Sequence, residues 1–125
     1  MKNKQSGQTL VMLLVFVIIS ITITSAATVV VIVNSLGSQK MQQSLNAFYA
    51  AESGVENALL RLLRDPNYSG ETLTVGDGSA TITVSGSSTK TINVTGINGN
   101  FQRRIEVVCG YVNNVLTVSS WKEVF

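Results

Sequence analysis

Residues 10–33 read LVMLLVFVIISITITSAATVVVIV, twenty-four residues without a single charge. At about 1.5 Å of rise per residue, a helix of that length covers about 36 Å, slightly more than the roughly 30 Å hydrocarbon core of a bilayer. The run is rich in Val, Ile and Thr, whose branched side chains lower helix propensity in water. Lipid overrides that preference, because every backbone amide must find its partner within the segment. The hydroxyls of Ser20, Thr22, Thr24, Ser25 and Thr28 can bond carbonyls of the preceding turn, or line a close contact with another helix. Everything downstream is therefore expected to hang on a membrane helix or a helical stalk.

The whole chain has 125 residues, so about half of it remains for one small folded head, near the size at which a single core is only marginally stable. A long helix packed on that head would supply what it lacks. Nine basic residues face seven acidic ones, and Arg103-Arg104 is the one adjacent basic pair. That balance gives no support to nucleic-acid binding. Histidine is absent, which removes the usual acid/base side chain and the commonest metal ligand, and the lone Cys109 excludes an internal disulfide.

Ahead of the apolar run stands a short polar leader with Lys2 and Lys4, ending in Gly7. Three readings compete. A secretory signal normally has a shorter apolar core and a clear small-residue cleavage site before Ala26-Ala27. A plain signal anchor keeps its cationic flank in the cytoplasm. In the third, processing falls before the apolar run and leaves it intact, which fits the short leader and its glycine best.

The segment Gln5-Ser6-Gly7-Gln8-Thr9-Leu10-Val11 resembles the class III signal sequence of type IV pilins and pseudopilins. That resemblance implies cleavage by a prepilin peptidase after Gly7 and methylation of the new amino terminus at Gln8, where the family usually has phenylalanine. Thr9 and Leu10 keep the family pattern. Met12 stands at the fifth mature position, where most subunits carry the glutamate linked to pairing with a neighbour's amino terminus. In lacking it the chain is similar to minor subunits of the PilX-like and general-secretion K type. A second stretch, Phe48-Tyr49-Ala50-Ala51-Glu52-Ser53-Gly54-Val55-Glu56-Asn57-Ala58-Leu59, resembles the AEAGxExAL segment of those minor pilins. The resemblance covers about half the chain and leaves the head without a family signature. It implies assembly contacts through Thr9, Leu10 and Met12, with other pilin or pseudopilin subunits, a prepilin peptidase, an inner-membrane assembly platform with its ATPase, and the lipid bilayer as partners. It also implies a single-pass membrane protein with an extracytoplasmic head, later incorporated in a pilus or pseudopilus.

Beyond Val33 the composition shifts at Asn34-Ser35-Leu36-Gly37-Ser38, where Gly37 costs about 1 kcal/mol of helix propensity and a bend or loosening is expected. From Gln39 the pattern becomes amphipathic, with Met41, Leu45, Phe48, Val55, Leu59 and Leu62 on one predicted face. Glu52 falls within that stripe, so its carboxylate should be paired, hydrogen-bonded or at a boundary. Glu52 and Glu56 are candidate contacts between subunits, weighed against a plain solvated edge. Arg61 and Arg64 suit the unsatisfied carbonyls of a helix C-terminus, and Asp65-Pro66 ends the helix.

Downstream the period becomes two. Residues 72–75, 80–85, 90–95, 101–109 and 115–121 read as strands, separated by Gly76-Asp77-Gly78, Gly86-Ser87-Ser88, Gly96-Ile97-Asn98-Gly99-Asn100 and Asn113-Asn114. The order implies an antiparallel meander. Ile105, Val107 and Cys109 share one predicted buried face with Arg103 reaching its rim, and Ile82 and Val84 pair with Ile92 and Val94. Cys109 reads as a small buried side chain, because no histidine is available to activate it.

Other motifs carry little chemistry. Asp77 in its glycine-rich turn supplies one carboxylate, against the six to eight oxygens that calcium takes. Residues 96–100 lack the lysine and following helix of a phosphate loop. Asn67-Tyr68-Ser69 and Asn93-Val94-Thr95 match the glycosylation pattern. No nucleophile, base and orienting group come together, so no enzyme activity, cofactor or metal is expected.

The expectation is an α+β fold, with a leader over residues 1–7, a transmembrane and assembly helix over 8–33, its amphipathic continuation over 34–65, and a C-terminal β head of about five strands over 66–125. The function expected from the resemblance is that of a minor pilin or pseudopilin, cleaved and assembled into or at the tip of a filament. The alternative is an unprocessed single-pass membrane protein displaying a small β interaction or adhesion domain.

Overall fold

The computed structural model describes residues 4–125, with side chains from Gly7 onward; Lys2, and the side chains of the leader up to Ser6, lie outside the described residues. One long helix, α1 (Lys4–Arg64), precedes five strands: β1 (Thr72–Val75), β2 (Gly78–Ser85), β3 (Thr89–Asn98), β4 (Phe101–Val112) and β5 (Val115–Val124). The chain divides into two compact units, Met1–Gln39 and Lys40–Phe125.

In the first unit the described side chains of α1 are uncovered. From Gly7 to Gln39 every residue but Ser20 is exposed, including Leu13, Phe16, Ile18 and Ile23. Gly7–Arg64 contains a window long and apolar enough to cross a membrane, and no part of that window is buried. The core helix of a soluble protein would be covered by its own fold. The Ser20 hydroxyl donates to Phe16 O at 2.8 Å, Thr22 to Ile18 O at 2.8 Å, Thr24 to Ser20 O at 2.8 Å, and Thr28 to Thr24 O at 2.9 Å. These donors are satisfied one turn back, which removes the desolvation cost of a free hydroxyl in an apolar medium. The loosening expected at residues 34–38 does not interrupt the helix. Once a helix is established on both sides, propagation through one unfavourable glycine is cheaper than two new ends.

The second unit packs the C-terminal part of α1 on one antiparallel sheet of order β1-β2-β3-β4-β5. Ile82 sits opposite Val94 and Val84 opposite Ile92, as the alternation predicts. Ile105, Val107 and Cys109 are fully buried under the helix, together with Ile92 and Val94. The turns follow from the register. Val75 pairs with Gly78 across Gly76-Asp77, Asn98 with Phe101 across Gly99-Asn100, and Val112 with Val115 across Asn113-Asn114. Asn113 and Asn114 have φ of 50° and 62°, the two positive values a type I′ turn requires.

Two expectations are corrected here. Of the predicted stripe, Val55 and Leu62 are fully buried, Phe48 and Leu59 pack half-buried against the core, Leu45 is half-buried and Met41 is 68% exposed, while the rest of the buried face is made of Ala47, Ala50, Ala51, Gly54 and Ala58. And β3 runs on through Gly96, Ile97 and Asn98, so the five-residue turn shrinks to Gly99-Asn100. Both have one cause, the close approach of α1 to β3. A Cβ on Gly96 would overlap the Ala47 carbonyl oxygen and come within 2.5 Å of Ala51 N and 2.9 Å of Ala51 Cβ. Only small residues fit on either side of that contact.

Candidate functional surfaces

Each candidate residue from the sequence sits on α1. Gly7, Gln8, Thr9, Leu10 and Met12 are exposed, and a Cβ at Gly7 would have nothing within 4 Å. Thr9, Met12, Leu13, Val15, Phe16 and Ile19 line one open apolar flank of the helix. Among the described residues this flank brings together no charged group, so its chemistry is that of lipid or of another apolar surface. Glu52 is half-buried and Glu56 exposed, and neither makes a hydrogen bond or ion pair among the described residues. Glu52 thus stands at a boundary, one of the three accounts its place in the apolar pattern allowed.

The polar centre of the head went unread in the sequence. Glu71, just before β1, gathers three side chains at one carboxylate oxygen, two by hydrogen bond and one as an ion pair. Asn57 Nδ2 and Tyr68 OH each donate to Oε1 at 3.1 Å, and Arg61 Nε lies 3.2 Å from the same atom. Asn57 and Arg61 are one helical turn apart, so both reach the same carboxylate oxygen. Burial, then the hydrogen bond to Glu71 and its negative charge, push the Tyr68 hydroxyl up to about 12 from its ordinary 10.0. Nearby, Lys90 Nζ donates to Pro66 O at 2.8 Å, and the amides of Val84 and Ile82 donate to Ser69 O and Glu71 O at 2.8 Å. These bonds fix the segment that leads from the helix into the sheet. Arg61 therefore serves this cluster as well as the helix terminus. No motif spacing marks Glu71, and Asn57 and Arg61 stand among other polar residues of an amphipathic helix.

The cluster has a pH signature. Because the folded Tyr68 ionises later than the unfolded one, its contribution to stability is complete below pH 10 and declines as pH rises towards about 12. Glu71→Gln removes the charge and leaves the burial. The tyrosinate titration of Tyr68, isolated by subtracting the curve of Tyr68→Phe, is expected to fall below about 12 while remaining above its ordinary value.

Arg103 reaches the sheet rim and lies with Nη1 3.0 Å from Glu123 Oε1. That contact lacks hydrogen-bond alignment, since Glu123 Oε1 and Arg103 Nε are buried without an aligned partner. Gln102, Arg103, Arg104, Glu123, Val124 and Phe125 border a shallow cavity there. Cys109 is a free thiol, fully buried, and burial pushes its pKa up against the opposing effect of Lys90. Such a thiol is a poor nucleophile at neutral pH. Among the described residues no three His, Cys, Asp or Glu side chains are grouped to hold a metal ion.

Comparison with known family models, curated proteins and solved structures yields no match. The architecture, a long N-terminal helix packed on a small antiparallel sheet, agrees with the general layout of type IV pilin-like proteins, without tying the chain to any one subfamily.

Proposed function

We propose that the chain is a single-pass membrane protein whose apolar helix anchors a small β interaction domain outside the bilayer. The observation that carries this reading is the uncovered run of α1, long enough to span the bilayer and without a charge over residues 10–33, joined by unbroken helix to a head with a core of its own. Satisfied hydroxyls at Ser20, Thr22, Thr24 and Thr28 support it. No catalytic role is proposed. Lys2 and Lys4 orient the anchor with its amino terminus in the cytoplasm.

A second reading is favoured by the sequence around Gly7 and by the helix-on-sheet layout. In it a prepilin peptidase removes residues 1–7, Gln8 becomes the methylated amino terminus, and the exposed helix exchanges lipid for other pilin or pseudopilin helices at an inner-membrane platform. Met12 then spares a subunit at the tip an unpaired carboxylate in apolar surroundings. The two readings divide on one measurement, the intact mass of the protein from its native membrane. The anchor predicts a chain that retains Lys2 and Lys4, and a mature chain beginning at methylated Gln8 would transfer the assignment to the filament subunit.

A further inference from the structure

The sheet has two edges that differ. β1 is four residues long, and its approach is fixed by the Glu71 cluster. β5 is ten residues long and pairs on one side only, with β4. Val107 pairs with Trp121 and Cys109 with Val118, yet the two β4 side chains are fully buried while Trp121 is 44% and Val118 43% exposed. The sheet therefore continues one strand beyond the cover of the helix. Long open edges are usually blunted by outward charges or proline. On β5 the two charges turn back to its neighbour, Lys122 Nζ 2.9 Å from Glu106 Oε1 and Glu123 Oε1 3.0 Å from Arg103 Nη1. The bulge residue Ser119 also turns back, donating its hydroxyl to Val108 O at 3.0 Å.

We infer that β5 pairs antiparallel with β5 of a second copy, about a two-fold axis between Ser119 and Ser120. The order of side chains along the edge is self-complementary about that point. Leu116, Val118, Trp121 and Glu123 share the helix-side face, and Val115, Thr117, Ser120, Lys122 and Val124 share the other, as their β4 partners fix. Pairing about that point sets Val118 beside Trp121 of the second copy, Val115 beside Val124, Thr117 beside Lys122 and Leu116 beside Glu123. Like faces meet, the half-covered Val118 and Trp121 cover each other, and no two like charges are opposed. The bulge lies at the axis, so both strands bend alike there.

The pairing fixes a direction. Gly96 abuts Ala47 and Ala51 while the earlier Val94 abuts Gly54, so the head's helix runs opposite to β3 and hence opposite to β5. The two-fold reverses one head relative to the other, and their Lys40 ends face opposite ways.

The test uses the full chain in detergent micelles with Ser120→Cys. Ser120 lies opposite Ser119 of the second copy, so the two introduced cysteines are diagonal neighbours, and a strand spacing of about 4.8 Å with a rise of about 3.3 Å puts their Cα atoms about 6 Å apart, within the roughly 4.4–6.8 Å that a disulfide spans. Mild oxidation is expected to convert most of the protein to a covalent dimer. Thr83→Cys, on the outer face of β2, should give none, and adding Val118→Asp to Ser120→Cys should lower the yield about tenfold with the circular dichroism spectrum unchanged. A dimer held by the apolar helices alone would leave Ser120→Cys uncrosslinked and overturn the pairing. So would a monomer that binds an unrelated alternating apolar peptide along β5. Crosslinking in micelles by a chain that fails to insert in phosphatidylcholine vesicles would sink the membrane reading and leave the pairing standing.

Discussion

Gly96→Ala destabilises the head by roughly 3 kcal/mol or more, a large share of the stability of so small a unit. The added Cβ overlaps the Ala47 carbonyl oxygen and reaches within 2.5 Å of Ala51 N, and backbone on a rigid helix cannot step aside as a side chain can. Two other glycines grade the effect. A Cβ on Gly54 meets Val94 Cγ1 at 2.6 Å and Ala80 Cβ at 3.0 Å, contacts that a rotamer change and a small shift relieve in part, so Gly54→Ala should cost about 1–3 kcal/mol. Gly110 has nothing within 4 Å, and Gly110→Ala should be close to neutral. Urea unfolding of the full chain in detergent micelles, followed by near-ultraviolet circular dichroism, gives the order directly. Equal midpoints for Gly96→Ala and Gly110→Ala would show that α1 does not sit on β3 as described.

The second large effect lies in the apolar run. Arginine at a helix centre costs about 2.5–3.5 kcal/mol of insertion free energy on the translocon scale, so Ile19→Arg together with Ile23→Arg should cost about 5–7 kcal/mol. The two positions are one turn apart and both fully outside any protein core, at 52% and 65% exposure, so the head has no reason to unfold. The expected result is loss of the protein from carbonate-washed membranes by a factor of a hundred or more, with the head still folded. Ser38→Arg with Gln42→Arg, on exposed positions beyond the run, should leave membrane retention unchanged. Retention of the first variant at the normal level would remove the bilayer from the account.

Much of this fold was legible because it rests on period and punctuation. The uncharged run of residues 10–33 announced its solvent, Asp65-Pro66 stopped the helix at Arg64, and alternation placed Ile105, Val107 and Cys109 inside. Asn113-Asn114 named its own turn. What the sequence concealed was distance. The stripe of large side chains marked Val55 and Leu62 correctly, but Gly96 and Gly54 bring backbone so near that the rest of the buried face had to be built from Ala47, Ala51 and Ala58. The same glycine read as the start of a turn, although it lies within β3 because the helix rests on it. Glu71 was missed for another reason: its three partners come from positions 57, 61 and 68, which only the finished fold brings to one oxygen. The apolar open edge at Val118 and Trp121 likewise depends on where the helix cover ends, and no local pattern reports that.

Labelling with a membrane-impermeant maleimide tests the central claim, that residues 10–33 cross the bilayer and the head stands outside it, most directly. Cys109 is buried and sets the background. In intact vesicles Ser38→Cys is expected to react fully from the side of the head, and Ile21→Cys to stay unlabelled from either side until detergent dissolves the bilayer. Equal labelling of Ile21→Cys and Ser38→Cys in sealed vesicles would contradict it.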